Sequence, residues 1–294
     1  MRGAPHVAEF IIGPRCATHW LIGLPALPFT NSSLALSDKV CAWTDRSRRC
    51  DRSPLAGQTT TREIFPMLKF YFNGAPNPNK VALFLEESGL PYELVPIDTR
   101  KGEQFKPEFL KLNPNGKVPA IDDDGVHVFD SNAILMYLGE KTGKFLPPNT
   151  PNNRGQLLSW LMFVATGMGP YSGQAVHFKH FAPKDLEYAH NRYQFEGHRH
   201  YKILNDHLAK SRYMVGDTYT IVDMAFWGWA RLAPFVLGDD VFTKYPNVKR
   251  LHDEVSARPA AARAIALKDK FTFKAEMDDE ARNFMFGHLK TKVA

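Results

Sequence analysis

Two neighbouring stretches, NPNGKVPAI (residues 113–121) and HVFDSNAILMYLGEK (127–141), decide how this chain folds. Val118-Pro119 stands eleven residues before Asp130-Ser131, where an apolar-periodic run opens. A proline inside what otherwise reads as a strand cannot donate to the ladder. A cis Val118-Pro119 bond at a sharp bend, with the adjacent backbone turned toward a ligand, resolves the conflict. Ser131 is expected at the N-cap of the helix that follows, and a helix N-terminus is a natural carboxylate site. Exposed peptide groups beside a bent proline, next to an anion-binding helix start, suit a peptide-like ligand with a free carboxylate.

Outward from these stretches the pattern is regular. LKFYF (68–72) reads as a strand, GAPNPN (74–79) as a turn, and KVALFLEES (80–88) as a helix closed by Gly89 with Pro91 beyond. YELVPID (92–98) is a second strand and PEFLKLN (107–113) a short helix. VPAIDD and VHVFD form a hairpin around DDG, and SNAILMYLGEKTG is a helix closed by Gly143. This order, βαβ, then α, then ββα, is the thioredoxin-like arrangement, a mixed sheet with helices on its faces. KFLPPNTPNN (144–153) reads as a linker between domains.

The remainder reads as helical. LLSWLMFVATGMG (157–169) is expected to end near Pro170. A long helix is expected from about Lys184 to Ser211, with Tyr188, Tyr193, Tyr201, Leu204 and Leu208 along one side. TIVDMAFWGWARLAPF carries a capping-box variant, Thr220-x-x-Asp223, and is followed by YPNVKRLHDEVSARP and AAARAIALK. The fold class is therefore α/β plus all-α: a thioredoxin-like domain over 67–143, the linker, and an all-helical domain over 154–294.

The 294 residues suffice for two cores, and 44% hydrophobic with 12% aromatic residues is an ordinary globular composition. The formal charge of +6 comes from 37 basic and 31 interspersed acidic residues without a long basic run. The one Lys-rich stretch, LKDKFTFK (267–274), is short, so neither nucleic acid nor a membrane is expected as a partner. Residues 1–66 mix Arg, Ser, Thr and Pro with short apolar pieces, and carry eight Lys/Arg against five Asp/Glu. They read as an extension outside the fold, with a transit peptide as the alternative. Cys16, Cys41 and Cys50 all lie there, so the main body has neither a disulfide framework nor a Cys/His metal spacing. If thiol chemistry occurs, the thiol comes from a bound cofactor.

The Val-Pro bend joined to the acid-Ser pair resembles the glutathione transferase family over about residues 67–270. The resemblance implies that the Val118-Pro119 backbone pairs with the cysteinyl part of glutathione and that Asp130-Ser131 holds its γ-glutamyl end. Gln104 (in KGEQF) and Lys117 are implied binding positions, with a solvated surface charge as the alternative for Lys117. The run YFNGAPNPNKVALFLEE (71–87) is similar to the bacterial nu class and to the related fungal nitrogen-regulatory protein. That class usually carries Thr at the position of Ala75 and Asn at that of Asn77. Asn77 is thus the catalytic candidate, directed at the glutathione thiol, with a plain helix cap as the alternative. Tyr71, inside a strand, is a minor candidate.

GQAVHFKHFAP (173–183) and NRYQFE (191–196) also resemble that class, and the resemblance implies that Arg192 reaches glutathione carboxylates, across a dimer interface or not. The alternative is a surface Arg pairing with Glu187 or Glu196. His177 and His180 lack a third ligand, so no metal is expected. Tyr171, Phe178 and Trp160 line a second substrate site or belong to the core. The resemblance implies a cytoplasmic homodimer. It would bind one or two glutathione molecules, or glutathione disulfide, and reduce small disulfides or organic hydroperoxides. The alternatives are conjugation to hydrophobic electrophiles and a non-catalytic glutathione-binding regulator.

Overall fold

The computed structural model describes residues 67–287, and the extension read over 1–66 lies outside the described residues. β1 (Leu68–Phe72), α1 (Pro76–Ser88) and β2 (Tyr92–Pro96) form a βαβ unit, α2 (Pro107–Leu112) follows, and β3 (Ala120–Asp123), β4 (Val126–Phe129) and α3 (Ser131–Thr142) complete the layer. The sheet order is β2-β1-β3-β4, with β1–β2 parallel and the other pairs antiparallel. The alternation in LKFYF does the sorting. Leu68, Phe70 and Phe72 are buried in the main core, whereas Tyr71 points to the opposite face, edge-on to Phe109 of α2 at 5.8 Å. This is the thioredoxin-like domain expected from the element order.

α1 begins earlier than the sequence suggests. GAPNPN reads as a turn, yet Ala75 is the N-cap and Pro76 already opens the helix. Proline is at home in a first turn because the missing N–H has no partner there anyway. Gly89, with φ 69°, ends α1 in the left-handed conformation that only glycine takes cheaply.

α4 (Pro151–Phe163) starts inside the Pro/Asn stretch read as a linker. The helix does not stop near Pro170. A π turn (Val164–Met168) leads directly into α5 (Gly169–Val176), and a second π turn (His177–Phe181) follows. The widened turn sits immediately before the first turn of α5, so Pro170's missing N–H is absorbed there without breaking the path. α6 (Glu187–Leu208) buries Tyr201, Leu204 and Leu208, but Tyr188 in its first turn is 82% exposed, contrary to the stripe read from the sequence. Tyr193, midway along the stripe, is half-buried against Tyr171 and Phe178.

α7 (Ile221–Ala230) is buried throughout and packs against α1, which ties the two domains together. Its capping box is present: Asp223 accepts from the Thr220 N–H at 2.7 Å, and also from the Met214 N–H at 2.8 Å. α8 (Ala233–Leu237), α9 (Val241–Lys244), α10 (Pro246–Ser256) and α11 (Pro259–Ala266) close the bundle. Arg258 pairs with Glu87 and Arg263 with Glu86, fixing α11 to the end of α1. Past the range of the family resemblance, α12 (Asp279–Phe286) returns to the first domain and packs on the 3-10 turn Thr99–Lys101. No described helix is long and apolar enough to cross a membrane.

Candidate functional site

The Val118-Pro119 peptide is cis, as the proline in the strand pattern predicts. β3 starts only at Ala120, which pairs with Tyr71 of β1, so Val118 lies just off the ladder and its peptide groups have no partner among the described residues. Its neighbour Lys117 is exposed, and the Lys117 carbonyl accepts from the Asn113 side chain at 2.6 Å.

At the start of α3 the sequence reading needs a correction. Asp130, not Ser131, is the N-cap: its Oδ1 accepts from the Asn132 and Ala133 amides at 2.8 and 3.2 Å. It does so with φ 69° and ψ 125°, a positive-φ backbone outside the left-handed helical region and uncommon for any residue but glycine. Ser131 is therefore the first helical residue, and its own N–H is the orphan amide left by the cap. Ser131 is buried, and Lys80 Nζ of α1 donates to its Oγ at 3.3 Å. An ammonium carries no acceptor, so Ser131 accepts from Lys80 and keeps its own O–H to donate outward.

Lys80 was missed by the sequence reading. It is 1% exposed and reaches Ser131 only because α7 presents Gly228, where a Cβ would lie 2.4 Å from Lys80 Cγ. Burial pushes its pKa down to about 7, against a weaker upward pull from Asp130. The available signal was Lys80's place four residues before Phe84, on the helix face that enters the core.

Asn77 lies in the first turn of α1 but does not cap it. Its Oδ1 accepts from the Trp229 indole N–H at 3.1 Å. Indole nitrogen only donates, so this bond fixes the amide with its NH2 group on the other side. Pro76 and Pro78 have no N–H, and the Ala75 N–H is taken by Asn73 Oδ1 at 3.0 Å. The expected row of free amides at this helix start thus shrinks to Asn77, whose backbone N–H and side-chain NH2 have no hydrogen-bond partner among the described residues.

Two clefts adjoin at this helix start. The first, about 310 Å³, is walled by Asn77, Lys80, Asp130, Ser131, Gln174 and Trp229, among others. The second, about 550 Å³, is walled by Ala75, Gln104, Lys117, Val118 and, from α12, Phe284 and Phe286, among others. Unpartnered buried atoms show what a guest must bring. Gln104 Oε1 and Asn132 Oδ1 accept nothing from the described residues, although Gln104 donates to the Thr99 carbonyl at 3.2 Å. The first cleft thus offers donors for a carboxylate (Ser131 N–H and O–H backed by Lys80) beside acceptors for an ammonium (Asp130, Asn132). That set suits the end of an α-amino acid. Val118 and Gln104 suit peptide groups.

The other expected positions lie elsewhere. Arg192 is exposed on α6 and walls neither cleft; its charge contributes to lowering the Glu196 carboxyl, after the Arg199 hydrogen bond. Tyr171 stacks on His200, Phe178 on Tyr193, and Trp160 meets Phe163 and His207, so these aromatics pack α4, α5 and the second π turn against α6 instead of lining either cleft. His180 stacks on Phe235 and meets its carbonyl at 2.9 Å, while His177 faces Phe286 at 5.0 Å. Tyr71 faces α2, and its phenol is raised by burial and then by Asp122 and Glu93.

Comparison with known proteins bears on the fold and the family. Residues 66–140 match the family model for the glutathione S-transferase N-terminal domain, and residues 174–265 the model for its C-terminal domain. The chain is 42% identical over 221 residues to the disulfide-bond oxidoreductase YfcG of Escherichia coli, covering 73% of this chain and 98% of that protein. A glutathione transferase of Burkholderia graminis, solved with two glutathione molecules per subunit, superposes with a TM-score of 0.63 at 36% identity, over 68% of this chain and 88% of that one. A glutathione transferase of Pseudomonas putida, solved with one glutathione disulfide per subunit, gives 0.63 at 35% identity, over 68% and 90%.

Proposed function

Because the chain belongs to the glutathione S-transferase family, we propose that it binds glutathione across the two adjoining clefts and reduces small disulfides or organic hydroperoxides. The γ-glutamyl end takes the first cleft: carboxylate on Ser131, ammonium against Asp130 and Asn132. The cysteinyl backbone lies along Val118-Pro119, and the glycine end extends toward Gln104 and Lys117. When bound, glutathione supplies the thiolate that attacks an S–S or O–O bond.

The observation that carries this reading is Asn77. Its NH2 group is locked outward by Trp229, at a helix start where two prolines and Asn73 have removed the competing donors. A sulfur placed there gains two hydrogen bonds from one residue and the positive end of α1. Ala75 supplies no hydroxyl, and every cysteine of the chain (Cys16, Cys41, Cys50) precedes residue 67, so the fold has no thiol of its own. The protein's work is orientation and stabilisation of negative sulfur. The relative named a disulfide-bond oxidoreductase and the neighbour holding glutathione disulfide support disulfide reduction over conjugation. We place the protein in the cytoplasm as a nu-class homodimer, with exposed Arg192 directed at an adjacent copy. A turnover screen with glutathione against a small disulfide, an organic hydroperoxide and an aryl halide tests the reading. Turnover of the disulfide or hydroperoxide should exceed that of the halide; preferred turnover of the halide would refute it.

A further inference from the structure

Lys80 stands out among the buried charged groups. It is 1% exposed, it forms no ion pair among the described residues, and its one hydrogen-bond partner among them is the Ser131 hydroxyl at 3.3 Å. Space for it is made by Gly228, where any side chain would collide with Lys80 and with the Pro76 carbonyl at 2.7 Å. It reaches the wall of the 310 Å³ cleft beside Ser131. A buried ammonium with one neutral acceptor is costly, and it lacks a counter-charge on the side where the cleft opens.

We propose that Lys80 is a positioning residue that takes up a proton as a ligand carboxylate settles on Ser131, so that γ-glutamyl binding and the charging of Lys80 are one coupled event. This rests on the reading that the first cleft takes the glutamyl end of glutathione. The surroundings leave little else to charge the lysine. α3 contributes Asp130, whose Oδ1 is committed to the helix cap and whose pull is outweighed by burial. α7 contributes Gly228 and Trp229, and α5 contributes Gly169, Pro170, Gly173 and Gln174, none of them titratable near neutrality. With burial holding the free amine near neutrality, the empty cleft at slightly alkaline pH contains a largely uncharged lysine. A carboxylate accepting from Ser131 brings the missing negative charge. The ammonium then re-forms and orients the hydroxyl it donates to, leaving the Ser131 proton aimed at the ligand.

The test is isothermal calorimetry with S-methylglutathione, whose blocked thiol releases no proton, in two buffers of different ionisation enthalpy at about pH 6 and about pH 8. At pH 8 the wild-type protein should take up roughly half a proton or more per ligand, and at pH 6 almost none, because Lys80 is already charged there. In Lys80→Met the uptake at pH 8 should be lost, and affinity at pH 6 should fall about tenfold or more. The ligand's own ammonium contributes equally to both proteins and cancels. Equal proton uptake in wild type and Lys80→Met, or no difference between the two pH values in wild type, would overturn the proposal; the second comparison needs no variant. Absence of S-methylglutathione binding at both pH values would instead overturn the glutathione reading on which it rests.

Discussion

Replacing Asn77 separates thiolate stabilisation from structure. In Asn77→Ala the ligand sulfur loses the side-chain NH2 but keeps the backbone N–H. A hydrogen bond to a charged acceptor is worth about 1.5–3 kcal/mol, which at 1.36 kcal/mol per unit raises the thiol pKa by about one to two units. The rate at neutral pH should therefore fall about tenfold to a hundredfold, with recovery as pH rises through the new pKa. Asn77→Asp should be worse, because it keeps the acceptor for Trp229 but sets a negative oxygen where the donor stood. Stability moves separately. The Trp229 indole, bonded to Asn77 at 3.1 Å, loses its acceptor in Asn77→Ala, at about 1–3 kcal/mol, whereas Asn77→Asp retains it. The assay is the pH–rate profile with a small disulfide, paired with ultraviolet titration of bound glutathione thiolate and with urea unfolding. If both variants keep the wild-type thiolate titration, Asn77 serves only to join α1 to α7, and the sulfur is held elsewhere.

Ser131→Ala should weaken glutathione binding by about 1.5–3 kcal/mol in calorimetry, since it removes the outward O–H and strips Lys80 of the Ser131 acceptor. Lys80→Met should stabilise the ligand-free protein near neutral pH. The folded-state pKa is depressed to about 7, so the neutral-amine form favoured by folding is lost as pH falls toward 7, and the gain over wild type should grow in that direction to a few kcal/mol by urea unfolding at pH 7 against pH 9.5. Asp223→Ala leaves the buried N–H groups of Met214 and Thr220 unpaired and should cost about 3 kcal/mol or more, measured as a lowered urea midpoint. Replacing Cys16, Cys41 and Cys50 together by Ser should leave glutathione-dependent turnover unchanged; its loss would show that a protein thiol takes part.

Whatever depends on neighbours along the chain was legible in the residues alone. LKFYF read as a strand, Gly89 and Gly143 ended their helices, and Thr220 with Asp223 announced the start of α7. The cis bond at Pro119 was legible because a proline in a strand pattern has few solutions. What depends on two segments meeting emerges only in the folded chain. Asn77 reads equally well as cap or donor until Trp229, 152 residues away, claims its oxygen. Lys80 looks like an ordinary helix charge until Gly228 of α7 lets it pass into the core beneath Ser131. The same holds for α12, whose Phe284 fits over Gly102 and helps wall the second cleft although nothing in DEARNFMF names that partner. Periodicity and capping are short-range constraints written in adjacent residues. Burial of a charge and the choice between two hydrogen-bond partners are energies of the assembled interior, where removal from water makes one remote contact outweigh local preference.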